Sequence, residues 1–445
     1  MSGGKTDDLK RRRQLVQDAS RAEDVEIKHE RVRELLKSTG GDALLLQDPV
    51  NIAWMTAGAD LTRSTPDNCQ TSLFITEDAR LVATNAVDST LIFEREVFGL
   101  GFQLKQREWF QPHSALIDDL CRGRKVISDS GYEGTRNATR RIAKARLPLT
   151  RLEVDRLRKL SQVATYAVEV SANNIRSGTT EAEVAGEISH RLLKRTITPV
   201  RIQVCADGRN ERFRHWAFGE SPIDRCAVVS CTARRWGLHS AVTRTVCLGD
   251  WPLELWEAHQ RAVLVHATGM YFSKHDEPLK DVWQKVKRIY EKFGLGCEWQ
   301  LADQADVLGY RPSEVQLTPD SDFVLQTGMP VFWHPSVGPA LMGDTVLITK
   351  QGFERLTDSA VWPKLHVKVK GVDVECPGIL KIQTTLPPTT GAQVSPIQQD
   401  SPFASHSFEV EPAGRMDSVW ELELTSDRSI FDEEDSPFSE ESVLE

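Results

Sequence analysis

The stretch Ala227–Gly249, which reads AVVSCTARRWGLHSAVTRTVCLG, constrains the fold of this chain more than any other. It consists of a strand-like run, a turn that contains Gly237, and a second strand-like run that carries Thr243-Arg244-Thr245. Such a pattern is typical of two strands joined by a short turn. Two later runs, Gly328–Pro330 and Asp344–Thr349, have the same strand-like character and follow this stretch along the chain.

In order and spacing, these motifs resemble the creatinase, prolidase and aminopeptidase P family of metallopeptidases. The runs Gly352–Thr357 (GFERLT) and Asp42–Gly58 (DALLLQDPVNIAWMTAG) extend the resemblance, which covers roughly Ala22 to Thr357. Together the motifs are specific, although each alone is weak. The resemblance implies an α/β protein with a creatinase-type N-terminal α/β domain. A pita-bread α/β domain then follows, in which two blocks of helices and strands are related by a pseudo-twofold axis.

Members of that family hold two bridged divalent ions with five side chains, and all five positions are changed here. The two Asp positions are Ser230 and Ala241, the His position is Asp306, and the two Glu positions are His334 and Gly343. Such ions require anionic oxygen or imidazole ligands. Two isolated ligands without the bridging pair make a poor site. We therefore expect no metal and no other cofactor.

The chain length allows two domains, because 445 residues can bury two cores. The family frame and the changes in composition predict five parts. They are a flexible N-terminus (1–21), the N-terminal domain (22–150), the pita-bread domain (151–365), a linker or strand extension (366–390) and an acidic segment (391–445).

The acidic segment 391–445 differs sharply from the rest of the chain. It contains fourteen Asp and Glu residues against only Arg415 and Arg428, a balance of −12, so the whole-chain charge of −9 leaves about +3 for residues 1–390. Its many Pro, Ser and Thr residues and its charge predict disorder. It acts either as a solvating segment or as a site for phosphorylation or for a basic partner protein.

Several absences in the sequence define the expected location and partners. There is no apolar run of about eighteen residues, so we expect no membrane span. The N-terminal MSGGKTDDLKRRRQ has no apolar core for a secretory signal. Eight cysteines without a CxxC pair are typical of reduced thiols, which favours the cytoplasm. We expect a homodimer from the resemblance, and no nucleic acid partner.

Periodicity places helices and strands along both domains. The predicted helices are Arg21–Ser38, Leu152–Ser177, Glu181–Lys194, Trp251–Met270 and Lys280–Phe293. The predicted strands are Asp42–Gln47, Leu73–Thr76, Leu81–Ala83, Lys125–Ser128, Val200–Ala206 and Cys226–Cys231.

His215 is the leading candidate for catalysis. Creatinase, a family member that resembles this chain in lacking the metal, uses a histidine upstream of the first ligand strand. His215 stands in that region, fifteen positions before Ser230. An imidazole can accept and return a proton near neutral pH. The alternative is that His215 only hydrogen-bonds in the wall of the cavity.

His334 and Asp306 are the next candidates, because both stand at former ligand positions. His334 would be a second acid or base, or else a histidine packed on Pro335 and Trp333. Asp306 would orient a histidine or bind a substrate ammonium group.

Six further residues are candidates for substrate binding. Arg244 is either a structural ion-pair residue or a clamp for a carboxylate, and Glu314 is either structural or part of the site. His239 shares a strand face with Ala241 by alternation. Indole rings near the site would suit an apolar, aromatic or cationic ligand, or else belong to the core; they are Trp216, Trp236 and Trp333. Cys231 alternates away from Ser230 and is not expected to be a nucleophile.

Two classes of function follow. The first is a metal-independent enzyme that acts on a small amino-acid-derived or aromatic substrate, or on a short peptide, by histidine acid–base chemistry, through hydrolysis of an amide or C–N bond, cyclisation or isomerisation. The second is an inactive pseudopeptidase that binds a protein or peptide. The histidines and the carboxylate at cavity positions favour the enzyme, whereas the acidic segment favours the binding module.

Overall fold

The computed structural model describes residues 18–62 and 70–383, together with the backbone of residues 421–422. The prediction of disorder for residues 391–445 otherwise lies outside the described residues, as does the prediction for residues 1–17. Within the described residues, no helix is both long enough and apolar enough to cross a membrane.

The first part of the chain alternates helices and strands. Its helices are α1 (Ala19–Thr39), α2 (Pro49–Met55), α3 (Ser89–Leu91, continued by a π-helical turn at Ile92–Glu96), α4 (His113–Cys121) and α5 (Thr139–Arg146). Its strands are β1 (Ala43–Leu46), β2 (Ser72–Thr76), β3 (Arg80–Asn85), β4 (Phe102–Arg107), β5 (Val126–Ser128) and β6 (Arg136–Asn137). The predicted helix Arg21–Ser38 and the four predicted strands of this region are confirmed to within a few residues.

These six strands form one mixed sheet in the order β4-β3-β2-β1-β5-β6. The central strand β1 is buried along its whole length and pairs antiparallel with β2 and parallel with β5. An all-apolar strand such as this one is typical of a sheet covered on both faces. The sheet therefore forms the centre of an α/β unit, as the sequence predicts.

The second part contains long helices and many strands. Its helices are α6 (Arg151–Asn173), α7 (Glu181–Leu193), α8 (Leu253–Phe272) and α9 (Leu279–Lys292), with 3₁₀ turns at Arg209–Glu211 and Glu298–Leu301. Its strands up to residue 316 are β7 (Thr198–Ala206), β8 (Cys226–Arg235), β9 (Leu238–Leu248), β10 (Ala305–Val307) and β11 (Val315–Gln316). The later strands are β12 (Pro330–Trp333), β13 (Ser336–Val337), β14 (Ala340–Leu341), β15 (Asp344–Thr349), β16 (Gly352–Arg355), β17 (Lys364–Val369), β18 (Val372–Pro377), β19 (Ile379–Ile382) and β20 (Glu421–Leu422).

The helices α6 and α7 begin where their sequences predict. Thr150 and Thr180 are the N-cap residues, and each forms a reciprocal capping box with the glutamate three positions later, Glu153 and Glu183. Such a box satisfies two backbone N–H groups that the first helical turn leaves free. The box at Thr180 therefore fixes the start of α7.

Two sheets dominate this part and repeat the same plan. The four-stranded sheet has the order β19-β9-β8-β7 and contacts the pair α6 and α7, while the five-stranded sheet has the order β11-β10-β12-β15-β16 and contacts α8, which packs on α9. The two blocks of a helix pair and a sheet agree with the predicted pita-bread architecture. Small β13–β14 and β18-β17-β20 sheets complete it. Residues 366–382, predicted as a linker or strand extension, lie in β17, β18 and β19.

A buried ionic cluster links α1 to the second part of the chain. The Nζ atom of Lys28 lies 2.5 Å from Asp24 and 2.7 Å from Glu153, and all three side chains are essentially inaccessible to solvent. Tyr310, which follows β10, donates a hydrogen bond of 2.7 Å to Glu153. Because a buried charge is tolerated only when it is paired, this cluster fixes the turn after β10 against α1 and α6.

Candidate active site

A cleft of about 420 Å³ lies where the two large sheets meet. Strands β8 and β9 contribute Ser230 and Thr243, and the region around β12 contributes Phe332 and His334. The remaining lining residues are Gln203, Asn210, Arg214, His215, Ala302, Asp303, Ser336 and Leu341. The cleft therefore contains the position of the first changed aspartate and that of one changed glutamate.

The most organised group in the cleft is a histidine–carboxylate pair. His334 Nε2 lies 3.0 Å from Asp306 Oδ2, and the other oxygen of Asp306 accepts a hydrogen bond of 2.5 Å from Ser313. Phe332 stacks on the imidazole with 4.8 Å between ring centroids. Both side chains retain 14% exposure, and His334 lines the cleft, so a ligand there can reach its imidazole. Asp306 thus orients the ring and fixes which nitrogen faces it.

Strand alternation explains why these groups meet. Phe332 and His334 are two positions apart and share one face, while the intervening Trp333 points to the opposite face. The register of β10 and β12 pairs Asp306 with Phe332. The backbone N–H of His334 also donates to Gln304 O at 2.8 Å, which continues the pairing one residue beyond β12.

A pair of hydroxyl groups forms another part of the wall. Ser230 and Thr243 are directly opposite each other in the β8–β9 register, and Thr243 Oγ1 donates to Ser230 Oγ over 2.9 Å. A hydroxyl that accepts a hydrogen bond keeps its own proton available to donate. Ser230 therefore can offer a donor to a ligand in the cleft.

Position 343 cannot accept a side chain in this arrangement. The backbone N–H of Thr243 donates to Gly343 O at 2.9 Å, which brings the two backbones close together. A Cβ atom at residue 343 would lie 2.2 Å from Thr243 Oγ1 and 2.6 Å from its Cβ. The close approach of these strands therefore requires glycine where the family has a glutamate ligand.

The residues present do not fit a pair of divalent cations. Ser230, Ala241 and Gly343 offer no anionic or imidazole ligand, and Asp306 and His334 are hydrogen-bonded to each other. In the described part of the chain, no three His, Cys, Asp or Glu side chains lie close enough together to hold a metal ion. Because a tightly held cation needs several such ligands, the donor set is that of a degenerate site.

His215 lies at the mouth of the cleft rather than inside it. Its side chain is 59% exposed, and Nε2 lies 3.6 Å from Asp303 Oδ1. The backbone on either side of it is anchored: Arg201 donates to the carbonyl of His215, and Arg214 donates to Ser336 at 3.1 Å and to Glu298 at 2.8 Å. The cleft thus has one enclosed imidazole at His334 and one exposed imidazole at His215.

The three candidate tryptophans do not line the cleft. Trp216 donates to Glu181 Oε2 at 2.9 Å. Trp236 lies in the β8–β9 turn, where its ring centroid is 5.3 Å from the guanidinium carbon of Arg156 and 4.2 Å from that of Arg235. Trp333 is fully buried against α8, where its indole N–H donates to Ser273 at 2.9 Å. All three indoles thus have structural partners away from the cavity.

Three other predicted binding residues also have structural partners away from the cleft. Arg244 is buried and pairs with Glu169 at 2.8 Å and Asp344 at 3.0 Å. Glu314 pairs with Arg146 and accepts hydrogen bonds from the backbone N–H groups of residues 310 and 311. Their contacts support the structural alternative for both residues.

The last of the three, His239, is a buried histidine. Its Nδ1 lies 3.2 Å from Gly309 O, and burial lowers the pKa of the ring to about 4. Cys231 is likewise buried, and burial raises the pKa of its thiol to about 12, in line with the expectation that it is no nucleophile.

Sequence reasoning missed the roles of Phe332, Thr243 and Ser313. Phe332 stands two positions before His334 and could have been found by alternation. Thr243 could not, because its place beside Ser230 depends on the strand register. Ser313 follows Asp306 by seven positions and bonds to it only because the chain turns back between β10 and β11.

Comparison with known proteins shows which family part of the chain resembles. Residues 155–350 match the family model described as metallopeptidase family M24. The chain is 25% identical over 233 residues to the Xaa-Pro dipeptidase of Pyrococcus furiosus, covering 48% of this chain and 64% of that protein. It is 23% identical over 214 residues to the Xaa-Pro dipeptidase of Pyrococcus horikoshii, covering 46% of this chain and 61% of that protein. The matches thus span less than two thirds of these relatives.

Solved structures support the same fold. A Xaa-Pro dipeptidase from Bacillus anthracis has a TM-score of 0.67 at 19% identity and covers 80% of this chain and 100% of its own. The dipeptidase PepE from Mycobacterium ulcerans has a TM-score of 0.67 at 13% identity, covering 82% and 99%. The N-terminal domain of the FACT subunit SPT16 from Cicer arietinum has a TM-score of 0.61 at 11% identity, covering 76% and 95%. Residues 155–350 thus resemble metallopeptidase family M24, and the chain has the pita-bread fold of these solved structures.

Proposed function

We propose that this protein is a metal-independent enzyme that acts on a small amino-acid-derived or aromatic molecule by histidine acid–base chemistry. The observation that carries the proposal is the pair formed by Asp306 and His334, of which His334 lines the cleft. A carboxylate that holds one imidazole nitrogen leaves the other directed toward a substrate. The Nδ1 atom of His334 has no hydrogen-bond partner among residues 18–62 and 70–383, so it is available for proton transfer.

For hydrolysis of an amide or another C–N bond, the proposed step balances without a cofactor. His334 removes a proton from water as the water oxygen attacks the substrate carbonyl carbon. The imidazolium, stabilised by Asp306, then returns that proton to the leaving nitrogen as the C–N bond breaks. Ser230, whose hydroxyl proton is free to donate, would stabilise the negative charge that develops on the carbonyl oxygen. Cyclisation or isomerisation would use the same proton transfer.

His215 has a different proposed role because of its exposure. At the mouth of the cleft, with Asp303 beside it, it would contact the part of the substrate that faces solvent, or serve as a second acid. Phe332, which stacks on His334, would supply an apolar contact for the buried part. These positions favour a ligand with one polar and one apolar side.

A ligand screen followed by mutagenesis tests the proposal. A thermal-shift screen of metabolites should find a ligand that stabilises the protein, and turnover of that ligand should then be measured. His334→Ala should reduce kcat by about 10²- to 10⁴-fold, the usual contribution of a general base. Asp306→Asn should also reduce kcat, because it removes the charge that stabilises the imidazolium. The exposed His190 on α7 provides the control His190→Ala, which should leave kcat unchanged. Turnover that persists in His334→Ala would contradict the assignment.

The second candidate function is a pseudopeptidase that binds a protein or peptide. Three ligand positions without an anionic or imidazole group and the acidic segment with its balance of −12 favour it, and the FACT subunit shows a similar fold in a protein of another kind. A chain truncated after residue 390 would then lose its basic partner, and His334→Ala would still bind it. If the protein is an enzyme, truncation after residue 390 should leave turnover unchanged, whereas His334→Ala should reduce it.

Homodimerisation, cytoplasmic location and the domain boundaries stay predictions. Sedimentation velocity across a range of protein concentrations would test the dimer.

A further inference from the structure

A second cavity, of about 290 Å³, lies on the side of the five-stranded sheet where α8 packs. Its walls are almost entirely apolar, and its lining includes Leu264 and Thr268 of α8, Ile289 of α9, Phe293 just after α9, and Val367 and Val369 of β17. We call this cavity the rear groove. It takes no part in the cleft that contains His334, since the two share no lining residue.

The strand beside the rear groove has two partners. Along one edge, β17 pairs antiparallel with β18 from Lys364 to Val369. Along the other edge, β17 pairs in parallel with β20, and the register places His366 opposite Glu421 and Val367 opposite Leu422. A strand from the acidic segment 391–445 thus lies against the edge of β17 that β18 leaves free.

The sequence around β20 is suited to this position. Residues 419–424 read VWELEL, so apolar residues at 420, 422 and 424 alternate with glutamates at 421 and 423. Alternation with a period of two is the signature of a strand with one apolar face. In the register of the two strands, Leu422 stands opposite Val367, which lines the rear groove.

We propose that residues 419–424 of this chain dock along β17 and cover the rear groove with their apolar set, Trp420, Leu422 and Leu424. The charges of the groove and of the segment support this docking. Lys292 lies at the rim of the groove, is exposed, and has no ion pair within the described part of the chain, while the docking residues carry two glutamates and belong to a segment with a balance of −12. Chain length also permits it. The stretch between residue 383 and residue 421, at about 3.3 to 3.6 Å per extended residue, can span any face of a domain of this size.

Docking divides the acidic segment into two parts with different tasks. Residues 419–424 hold the segment to the back of the pita-bread domain by main-chain pairing and apolar burial. Residues 425–445, which contain the densest acidic run, IFDEEDSPFSEES, are then the part that can reach a basic partner protein. The inference is independent of any catalytic role for His334, because the groove and the cleft are separate.

Hydrogen–deuterium exchange of the full chain, read by mass spectrometry, tests the docking. The amides of β17 that point away from β18 should exchange slowly in the unmodified protein. Leu422→Pro removes a backbone donor and breaks the pairing, so these amides should exchange at least tenfold faster. Leu444→Pro is the matched control, because it makes the same change in the same segment outside residues 419–424, and it should leave exchange in β17 unchanged.

A second pair of variants tests the apolar face separately from the main chain. Leu422→Asp should accelerate exchange in β17 by a similar factor, since a buried unpaired carboxylate is costly, and Leu444→Asp should not. Equal exchange in the unmodified chain and in both Leu422 variants would overturn the docking. Protection of β17 that appears only as protein concentration rises would also overturn it, because the strand would then come from a second copy. Neither result bears on turnover, so the proposed enzyme activity and the docking can fail independently.

Discussion

The two faces of the strand pair β12 and β15 differ in the kind of side chains that they carry. On the cleft face, just beyond the ends of these strands, His334 and Gly343 stand where the resemblance places two of the family's ligands. On the opposite face, Trp333 and Asp344 are fully buried and take part in close packing and ion pairs. Successive residues of one chain segment thus belong to two environments, one that faces the cleft and one that is buried.

The buried face shows why the fold survives the loss of the ligands. Arg244 connects α6 and β15 by pairing with Glu169 and Asp344, and its guanidinium group also donates to Thr357 O at 2.6 Å. Thr357 in turn donates to Asp344 at 2.6 Å. These contacts do not depend on groups in the cleft. The ligand positions can therefore change without loss of the network that holds the sheets together.

The largest expected loss of stability comes from a substitution on the buried face. Arg244→Ala removes the cation that pairs with the buried Glu169 and Asp344 and leaves Asp344 only the more distant Arg355. The loss of one partner from such a group typically costs about 3 to 5 kcal/mol. His334→Ala removes only a partly exposed hydrogen bond and should cost about 1 kcal/mol. Urea unfolding of both variants would measure the difference. Equal losses would show that the two faces contribute alike.

The next largest effect is a pH dependence of the free energy of unfolding, which arises at a buried histidine on α8. His266 on α8 is fully buried, its Nε2 lies 3.8 Å from Asp344 Oδ2, and burial lowers the pKa of its ring from 6.5 to about 4 despite the opposing influence of Asp344. Arg355, Arg244 and His334 lower it further. Between these two pH values the unfolded chain binds a proton that the folded chain does not, so the free energy of unfolding falls as the pH falls.

This loss should approach about 1.4 kcal/mol per pH unit for one histidine, or about 3 kcal/mol in total. Urea midpoints at pH 7, 6 and 5 would measure it. In His266→Gln, the slope of the unfolding free energy against pH should fall by the contribution of roughly one proton. His259 and His239, whose pKa values are also lowered to about 4, would maintain part of that slope. An unchanged slope would contradict a neutral buried His266.

A smaller effect tests packing on the buried face. A Cβ atom at Gly269 would lie 2.5 Å from the ring of Trp333, so Gly269→Ala should destabilise the protein by about 1 to 3 kcal/mol through overpacking. Gly186 in α7 is the matched control, because nothing lies within 4 Å of a Cβ there. Gly186→Ala should raise stability by about 0.5 to 1 kcal/mol. Thermal unfolding of the two variants should therefore shift in opposite directions.

The smallest expected effect concerns metal at the cleft face. Ser230, Ala241 and Gly343 stand in place of carboxylates, so excess Mn²⁺, Co²⁺ or Zn²⁺ should raise the melting temperature by no more than about 1 °C. A ligand stabilises the folded state only when its concentration is well above its Kd for that state. Metal analysis of the purified protein provides a second measurement. Stoichiometric metal, or a large stabilisation by it, would overturn the distinction between the two faces.

The sequence was sufficient for much of the fold. Helix α1 follows from its apolar spacing, α7 from Thr180 and Glu183 at its start, and β1 from its unbroken apolar run. These features are local, because caps and periodicity depend on residues a few positions apart. The family motifs then gave the order of the two sheets.

For the cleft, the sequence determined which ligand groups are missing, since a methyl or a hydrogen atom in place of a carboxylate is a property of the residue itself. Only the tertiary structure decided which of the remaining side chains meet. His334 and Asp306 are paired while His215 stays at the mouth, and the indole of Trp333 turns into the core while Phe332 faces the cleft. Strand register and the packing of α8 set these directions, and both depend on contacts between residues far apart in the chain.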